Sequence, residues 1–178
     1  MVLEVEKLIC GWLKIIFLDI DGCVNNLKNV IDNPKINLRD YNDWNKESLF
    51  LLNILCEKSN AKIVISSSWR KIIKNVDEWN EIFKNLNLYH INVIGLTPSS
   101  QNGFRGREIN EWLEENKNTK SYIVIDDDSD FFPNQFRIKI DPYIGITYDD
   151  VEKAIKILEG QSLGLNLRCM EERNPPND

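Results

Sequence analysis

Apolar and polar positions follow two different periods along the chain, and their order predicts an α/β fold. Short continuous apolar runs, typical of strands covered on both faces, occur at 13–18, 62–66, 91–95, 121–125 and 136–140. Segments with apolar residues three and four positions apart, typical of helices, occur at 45–58, 77–87, from 106 onward and at 149–158. This order predicts a three-layer, doubly wound parallel sheet of about five strands.

The length and the polar end of the chain predict a single domain. The 178 residues, with 42% hydrophobic and 28% charged side chains, fit one globular domain of ordinary size. We expect residues 1–160 to form this domain. Residues 161–178 are polar and include Pro175 and Pro176, so we expect a flexible tail there. The Asn-rich segment 25–43 is expected to be a polar connection.

Charge, cysteines and hydropathy exclude several classes of protein. A net charge of −6 argues against sequence-independent wrapping of nucleic acid, although it leaves room for a local basic pocket. One histidine and four scattered cysteines without a CxxC pair give zinc few ligands. No apolar run approaches the ~18 residues of a membrane span, and residues 1–14 do not resemble a signal peptide. We expect a cytoplasmic protein with reduced thiols and no membrane partner.

Acidic residues collect at the ends of two predicted strands. Asp19 and Asp21 follow the first strand in FLDIDG, and Asp126, Asp127 and Asp128 follow the fourth in IVIDDD. Ligands of open parallel sheets bind beyond the carboxyl ends of the strands. Either group alone is commonly a turn, but if the two strands are neighbours the carboxylates converge and repel one another. A hard cation such as Mg²⁺ is then the natural partner.

Phosphate-binding features stand close to these carboxylates. Gly22 allows a sharp turn after Asp21 whose amides can face an anion. Ser66, Ser67 and Ser68 end the second strand, where hydroxyls and amides can hold a phosphate oxygen without adding charge.

Arginines at the start of the third helix also suit a phosphate. Arg105 and Arg107 stand where the helix dipole disfavours a cation, and a bound phosphate would remove that objection. A solvent-facing arginine remains the plain alternative.

Aromatic and basic residues after the second strand suggest a contact surface for a larger substrate. Trp69 is followed by Arg70, Lys71 and Lys74, so a terminal base could stack while cations hold phosphates. Packing of Trp69 in the core is the competing interpretation. Tyr41 and Trp44 form a second candidate platform.

The four segments FLDIDG, KIVISSS, FRGREI and YIVIDDD resemble, in this order, the four motifs of the haloacid dehalogenase (HAD) superfamily. The resemblance covers residues 13–158 and implies a Rossmann-like fold. SSSWR, RGREINEWL, IVIDDD and DPYIGITYDDVEKAIKIL are more closely similar to the HAD domain of Swiss Army Knife RNA repair proteins. The intervals between Gly22 and the first helix, and between Ser68 and Arg105, are too short for a cap domain, so we expect an open site.

The resemblance implies roles for individual residues. Asp19 is the expected nucleophile, and Asp21 is the expected general acid and base. Mg²⁺ is expected on the carboxylates of Asp19 and Asp127 and on the backbone carbonyl of Asp21, with Asp126 preceding the metal ligand.

The same resemblance implies the phosphate contacts. Either Ser67 or Ser66 is expected to bind a phosphate oxygen. Arg105 is expected to stabilise the phosphoryl group, with Arg107 as its rival. Many superfamily members have Lys at this position, and Arg keeps the charge but changes the geometry of the donors.

These roles predict a Mg²⁺-dependent phosphoric monoester hydrolase with an aspartyl-phosphate intermediate. Its expected partner is a phosphorylated macromolecule, and the first hypothesis is that it removes a terminal phosphate from RNA or another polynucleotide. The alternatives are a phosphoprotein or small-nucleotide phosphatase of the same chemistry, and a binding module that keeps the phosphate pocket without turnover.

Overall fold

A computed structural model describes residues 12–32, 35–37, 39–100 and 103–171, with side chains as far as residue 161. Strands and helices alternate along this part of the chain. The strands are β1 (Leu13–Leu18), β2 (Lys62–Ile65), β3 (Val93–Leu96), β4 (Thr119–Asp126) and β5 (Arg137–Lys139). The helices are α1 (Leu27–Asp32), α2 (Lys46–Ser59), α3 (Val76–Asn85), α4 (Arg105–Glu115) and α5 (Tyr148–Glu171), with 3-10 turns at Tyr41–Asp43 and Ser68–Lys71.

The five strands form one parallel sheet in the order β3-β2-β1-β4-β5. The chain builds outward from β1 to β3, then crosses back and adds β4 and β5 on the other side of β1. The topological switch point therefore lies between β1 and β4, where ligands of such sheets bind. The predicted α/β class and the parallel sheet are confirmed. The first and fourth strands are neighbours, which is the condition under which the two groups of carboxylates converge.

The sheet is buried on both faces, which explains why its strands are continuously apolar. Ile16 and Leu18 of β1 join a core with α2, α3 and α5. Ile15 and Phe17 point to the opposite face and pack against Ile109 and Trp112 of α4. The molecule therefore has the three layers expected of a doubly wound fold.

Helix α1 lies inside the segment that the sequence predicts to be a polar connection. Leu27, Val30 and Ile31 stand at helical spacing, but no residue of this helix is buried. Its first turn is held by Asn26, whose Oδ1 accepts from the Asn29 amide, and by Leu27, whose amide donates to the Pro142 carbonyl. The helix thus depends on contacts with a distant loop rather than on burial of an apolar face.

The last helix is longer than predicted, because α5 continues past Leu158 and Gly160 to Glu171. A glycine costs a helix only about 1 kcal/mol relative to alanine, so Gly160 does not end it. Gln161 also anchors this turn, since its side chain accepts from the amide and donates to the carbonyl of Tyr122. The predicted tail at 161–178 therefore begins as helix, and residues 172–178 lie outside the described part.

The carboxyl edge of the sheet carries no cap domain in the described residues. Between β1 and α2 lie α1 and a 3-10 turn, and between β2 and α4 lie a 3-10 turn, α3 and β3, which belong to the core fold. None of the described helices combines the length and apolarity needed to cross a bilayer. Of the cysteines, Cys23 and Cys56 are buried free thiols, while Cys10 and Cys169 fall outside the described side chains.

Candidate active site

Asp19 stands at the carboxyl end of β1, where the sheet order changes direction. Its amide donates to the Ile125 carbonyl at 3.0 Å, which continues the pairing of β1 with β4 by one residue. Its Oδ1 accepts from the Ile20 amide at 2.8 Å, and the residue is 6% exposed. The carboxylate is therefore fixed in orientation, with Oδ2 directed to other partners.

Gly22 brings the loop after β1 against the loop after β4. Its φ is +76°, a conformation that side chains rarely adopt, and an added Cβ would lie 2.4 Å from the Asp127 Cγ. Its amide donates to the Asn25 carbonyl at 2.9 Å rather than standing free for an anion. The structural demand for glycine here is thus the close approach of Asp127; its predicted contact with phosphate stays a prediction.

Three carboxylates meet at this edge of the sheet. Asp19, Asp126 and Asp127 each offer one oxygen, and these oxygens all lie within 4.8 Å of one another. An all-carboxylate set of this kind fits a hard, oxygen-binding divalent cation such as Mg²⁺. The Asp21 carboxylate does not belong to this group, and the predicted ligation by its backbone carbonyl stays a prediction.

Arg105 is the cation that reaches the carboxylates. Its Nη1 lies 2.7 Å from Asp126 Oδ2 and 3.0 Å from Asp19 Oδ2. The other oxygen of Asp126 accepts from the Asp128 amide at 2.8 Å. Arg107 is exposed on the same helix turn. The structure therefore brings Arg105, and not its rival, to the predicted nucleophile.

The first turn of α4 is held by a distant loop, which fixes where Arg105 points. The residue before the helix, Phe104, makes no side-chain cap. Instead, Asp130 accepts from the Arg105 amide through its Oδ2 and from the Gly106 amide through its carbonyl, each at 3.0 Å. Gln135 donates to the Gly106 carbonyl at 2.7 Å. The anion that the helix dipole favours is thus supplied by the protein.

Burial shifts the carboxyl groups of the site towards their neutral forms. Burial raises the pKa of Asp19, opposed by the Arg105 guanidinium and by a hydrogen bond from Ser67. Burial, followed by repulsion from Asp19, raises the pKa of Asp126 to about 7 and also raises the pKa of Asp127. Burial lowers the pKa of Arg105, but attraction from Asp19 and Asp126 outweighs it, so this pKa is raised. A divalent cation would relieve the repulsion.

The raised pKa of Asp126 predicts that the metal-free protein loses stability as the pH rises. The folded protein holds this proton up to about pH 7 and the unfolded chain only to about 3.8, so the free energy of unfolding falls between these values. Thermal unfolding in a chelator, at about pH 5 and about pH 8, should show this slope, and Asp126→Asn should flatten it. The exposed Asp149→Asn is the control, and equal slopes in all three proteins would contradict the prediction.

The serines after β2 have three different surroundings. The Ser67 hydroxyl is hydrogen-bonded to the Asp19 carboxylate, and its oxygen accepts from the Trp69 amide at 3.4 Å. The Ser66 Oγ is buried without a hydrogen-bond partner in the protein, and Ser68 is exposed. Ser67 is therefore the serine beside the predicted nucleophile, and the phosphate contacts of all three stay predictions.

Arg70 uses its guanidinium inside the protein rather than at an open surface. Its Nη1 donates to the carbonyls of Ser66 and Ser67, at 2.9 and 2.8 Å, and its Nη2 lies 2.6 Å from Glu108 Oε2. The other oxygen of Glu108 accepts from the Ser100 amide at 2.8 Å. This buried pair ties the serine loop to α4. The predicted contact of Arg70 with substrate stays a prediction.

Asp21 lies at the exposed side of the site and is held by two side chains. Its Oδ2 accepts from the Trp69 Nε1 at 3.0 Å and its Oδ1 from the Asn25 amide group at 2.8 Å. Trp69 is 8% exposed and packs edge-on against Trp44. Trp44 is 1% exposed, stacked with Trp79, and offers no face to a ligand, so its predicted role as a platform is wrong.

Sequence reasoning missed Glu108, Gln135 and the bond between Trp69 and Asp21, and it considered Asp130 only as a support of the metal, not as the acceptor at the start of α4. Glu108 meets Arg70 38 positions away, Gln135 meets Gly106 29 positions away and Trp69 meets Asp21 48 positions away, so no local spacing marks these pairs. Glu108 lies three residues after Arg105, a spacing that favours a pair between them, yet its carboxylate pairs with Arg70.

A parallel Rossmann-like sheet with an acidic, arginine-paired site at its switch point defines the class of protein. Comparison with protein families matches residues 15–151 to the HAD domain in Swiss Army Knife RNA repair proteins. The match covers more than half of the chain, and the chain belongs to this family. The resemblance seen in the four motifs is thereby confirmed.

One curated relative is a protein of Euglena longa named DNA-directed RNA polymerase subunit alpha. The two are 32% identical over an alignment 134 residues long, and this alignment covers 70% of this chain. The chain spans 60% of that relative's length. No solved structure matches the chain.

Proposed function

We propose that the protein is a Mg²⁺-dependent phosphatase that removes a terminal phosphate from RNA or another polynucleotide. The observation that carries the proposal is the position of Asp19. Its carboxylate accepts a hydrogen bond from the Ile20 amide and forms an ion pair with Arg105. One of its oxygens lies within 4.8 Å of an oxygen of Asp126 and of Asp127. A nucleophile, a cation and a set of metal ligands at one strand end suit attack on phosphorus.

In the first step, an Asp19 carboxylate oxygen forms a bond to phosphorus while the bond to the leaving oxygen breaks. Asp21 gives its proton to that oxygen. In the second step, water attacks phosphorus, Asp21 takes the water's proton, and the bond from Asp19 to phosphorus breaks. Arg105, which reaches Asp19 at 3.0 Å, stabilises the equatorial oxygens in both steps.

Mg²⁺ bound at Asp19 and Asp127, with Asp126 beside them, would supply positive charge that neutralises the phosphoryl oxygens. The Ser67 hydroxyl, which is hydrogen-bonded to Asp19, would donate instead to a phosphate oxygen when substrate binds. The Arg70–Glu108 pair holds the backbone of Ser67 in place through the serine carbonyl.

A large substrate is favoured by the open site. The described residues carry no cap domain above the carboxyl edge, so the substrate's own bulk must exclude water during reaction. Membership of a family described from RNA repair proteins favours polynucleotide ends over phosphoproteins. The name of the Euglena longa relative describes a polymerase subunit, so an experiment must also distinguish turnover from simple binding.

The test compares three kinds of phosphate ester with and without Mg²⁺. We expect hydrolysis of a generic aryl phosphate that stops in chelator, and higher kcat/KM for oligoribonucleotides carrying a 3′ or 5′ phosphate than for phosphopeptides. Doubly labelled RNA identifies which end is attacked. A higher kcat/KM for phosphopeptides would contradict the proposal that polynucleotide ends are the substrate. Binding of phosphorylated RNA without any turnover would indicate a binding module.

A further inference from the structure

A cavity of about 390 Å³ opens beside the candidate active site and takes no part in the chemistry above. The 3-10 turn after α1 supplies Tyr41, the 3-10 turn after β2 supplies Trp69, and helix α3 supplies Ile82. Trp69 belongs to both places, because its Nε1 donates to Asp21 Oδ2 at 3.0 Å. We call this space the Trp69 cavity, and it lies one side chain away from the predicted general acid.

The walls of the Trp69 cavity suit a flat, apolar group. The lining residues include the aromatic Tyr41 and Trp69 and the aliphatic Ile73 and Ile82. Trp69 is held rigidly, since its ring packs edge-on against the buried Trp44 at 5.3 Å between centroids. A preformed wall of this kind binds a planar ring with little loss of conformational entropy.

The charges around the cavity select among planar groups. The lining residues include Glu78 and Glu81, which carry carboxylates, and Arg39, which carries a guanidinium. Two carboxylates disfavour a second phosphate, but they accept hydrogen bonds from N–H groups at the edge of a ring. A nucleobase combines π faces with N–H donors on its edge, whereas phenylalanine has no donor and tyrosine has only a hydroxyl.

We propose that the Trp69 cavity binds the nucleobase of the terminal nucleotide whose phosphate meets Asp19. The proposal rests on the function proposed above and names the feature by which a polynucleotide end is recognised. Ser67 and Trp69 are two residues apart in one turn, so a nucleotide with its phosphate near Ser67 has its base within reach of the indole. Trp69 then acts as a positioning residue that links a bound base to Asp21.

The first experiment removes the base from the substrate. Oligoribonucleotides with a terminal 3′ or 5′ phosphate are compared with the same molecules carrying an abasic residue at that end. We expect kcat/KM to be roughly tenfold higher with the base, the lower part of the range measured for stacking on aromatic side chains.

The second experiment removes one wall. Tyr41→Ala should bring the ratio of base-containing to abasic substrate close to one. Tyr89→Ala, an exposed tyrosine outside the cavity, should leave that ratio as in the wild type. Because Tyr41→Ala can fail to fold, the exposed Glu81→Lys provides a second change in the lining and should also lower the ratio.

The outcomes separate this proposal from the proposed function. Hydrolysis of aryl phosphate with equal rates on base-containing and abasic ends overturns the cavity proposal alone. Absence of turnover on every ester contradicts the proposed phosphatase activity. Fluorescence anisotropy with labelled oligonucleotides then measures directly whether the Trp69 cavity binds the base. Equal binding of both oligonucleotides would contradict the proposal that the cavity binds a nucleobase. A dependence on Tyr41 that is seen only with phosphotyrosine peptides would contradict it as well.

A separate variant tests whether the hydrogen bond from Trp69 positions Asp21. Trp69→Phe keeps an aromatic wall but removes the N–H that donates to Asp21. We expect kcat to fall at least roughly tenfold while KM for the base-containing substrate changes little. An increase in KM with an unchanged kcat would show that Trp69 binds the base without positioning Asp21.

Discussion

Replacing Asp19 with Asn is expected to abolish hydrolysis of aryl phosphate and RNA ends, with a loss in kcat of roughly 10³-fold or more. The amide keeps the shape of the side chain and its contact with the Ile20 amide, but it has no anionic oxygen to attack phosphorus. The measurement is steady-state kinetics with Mg²⁺ in excess. Acid quenching followed by peptide mass spectrometry should find a phosphoryl group on the Asp19 peptide of the wild type only.

Asp149→Asn is the matched control for this loss, because Asp149 is exposed at the start of α5. It should retain wild-type kinetics. Circular dichroism must show that the Asp19 variant is folded. Retention of more than about a tenth of the activity by that variant would exclude Asp19 as the nucleophile, given the size of nucleophile effects.

Replacing Arg70 with Met is expected to lower the free energy of unfolding by about 3–5 kcal/mol. Glu108 would then be left as a buried charge without its partner, since its side chain is 3% exposed. The carbonyls of Ser66 and Ser67 would lose their donor as well. Urea denaturation measures the change, and activity should fall with it because these carbonyls belong to the loop that holds Ser67.

Adding Glu108→Gln to Arg70→Met should recover part of the lost stability. Gln can still accept from the Ser100 amide, and the unpaired charge is gone. Arg107→Met, an exposed arginine on the same helix, is the control and should change stability by less than about 0.5 kcal/mol. A stable Arg70→Met protein with a raised KM would instead support the substrate contact predicted from sequence.

The sheet and the acidic centre were predictable because their signals are local. Buried parallel strands must be continuously apolar, so β1 and β4 could be recognised from a few residues each. Carboxylates that directly follow such strands necessarily reach the carboxyl edge of the sheet. Asp19 and Asp127 could therefore be expected near each other on the condition that their strands are neighbours, which the structure supplies. The order of the four motifs added the family and the expected nucleophile.

The supports of the site were not predictable from local patterns. Arg70 follows an aromatic and precedes lysines, a pattern typical of a substrate contact, yet its partner Glu108 lies 38 residues away on another element. Asp21 and Trp69 are 48 residues apart. Helix α1 has no buried face, so the contacts of Asn26 and Leu27 with the loop at 142–144 decide its presence.

The sequence by itself determined the strands, their parallel α/β arrangement and the carboxylates at their ends, because alternating periods and strand ends are properties of neighbouring residues. The tertiary structure alone decided which side chains contact those carboxylates and which support the loops around them. It placed Arg105 rather than Arg107 at Asp19, buried Arg70 against Glu108 and set Trp69 between Asp21 and a cavity. These choices depend on distances between loops that are far apart along the chain and meet only once the sheet has formed.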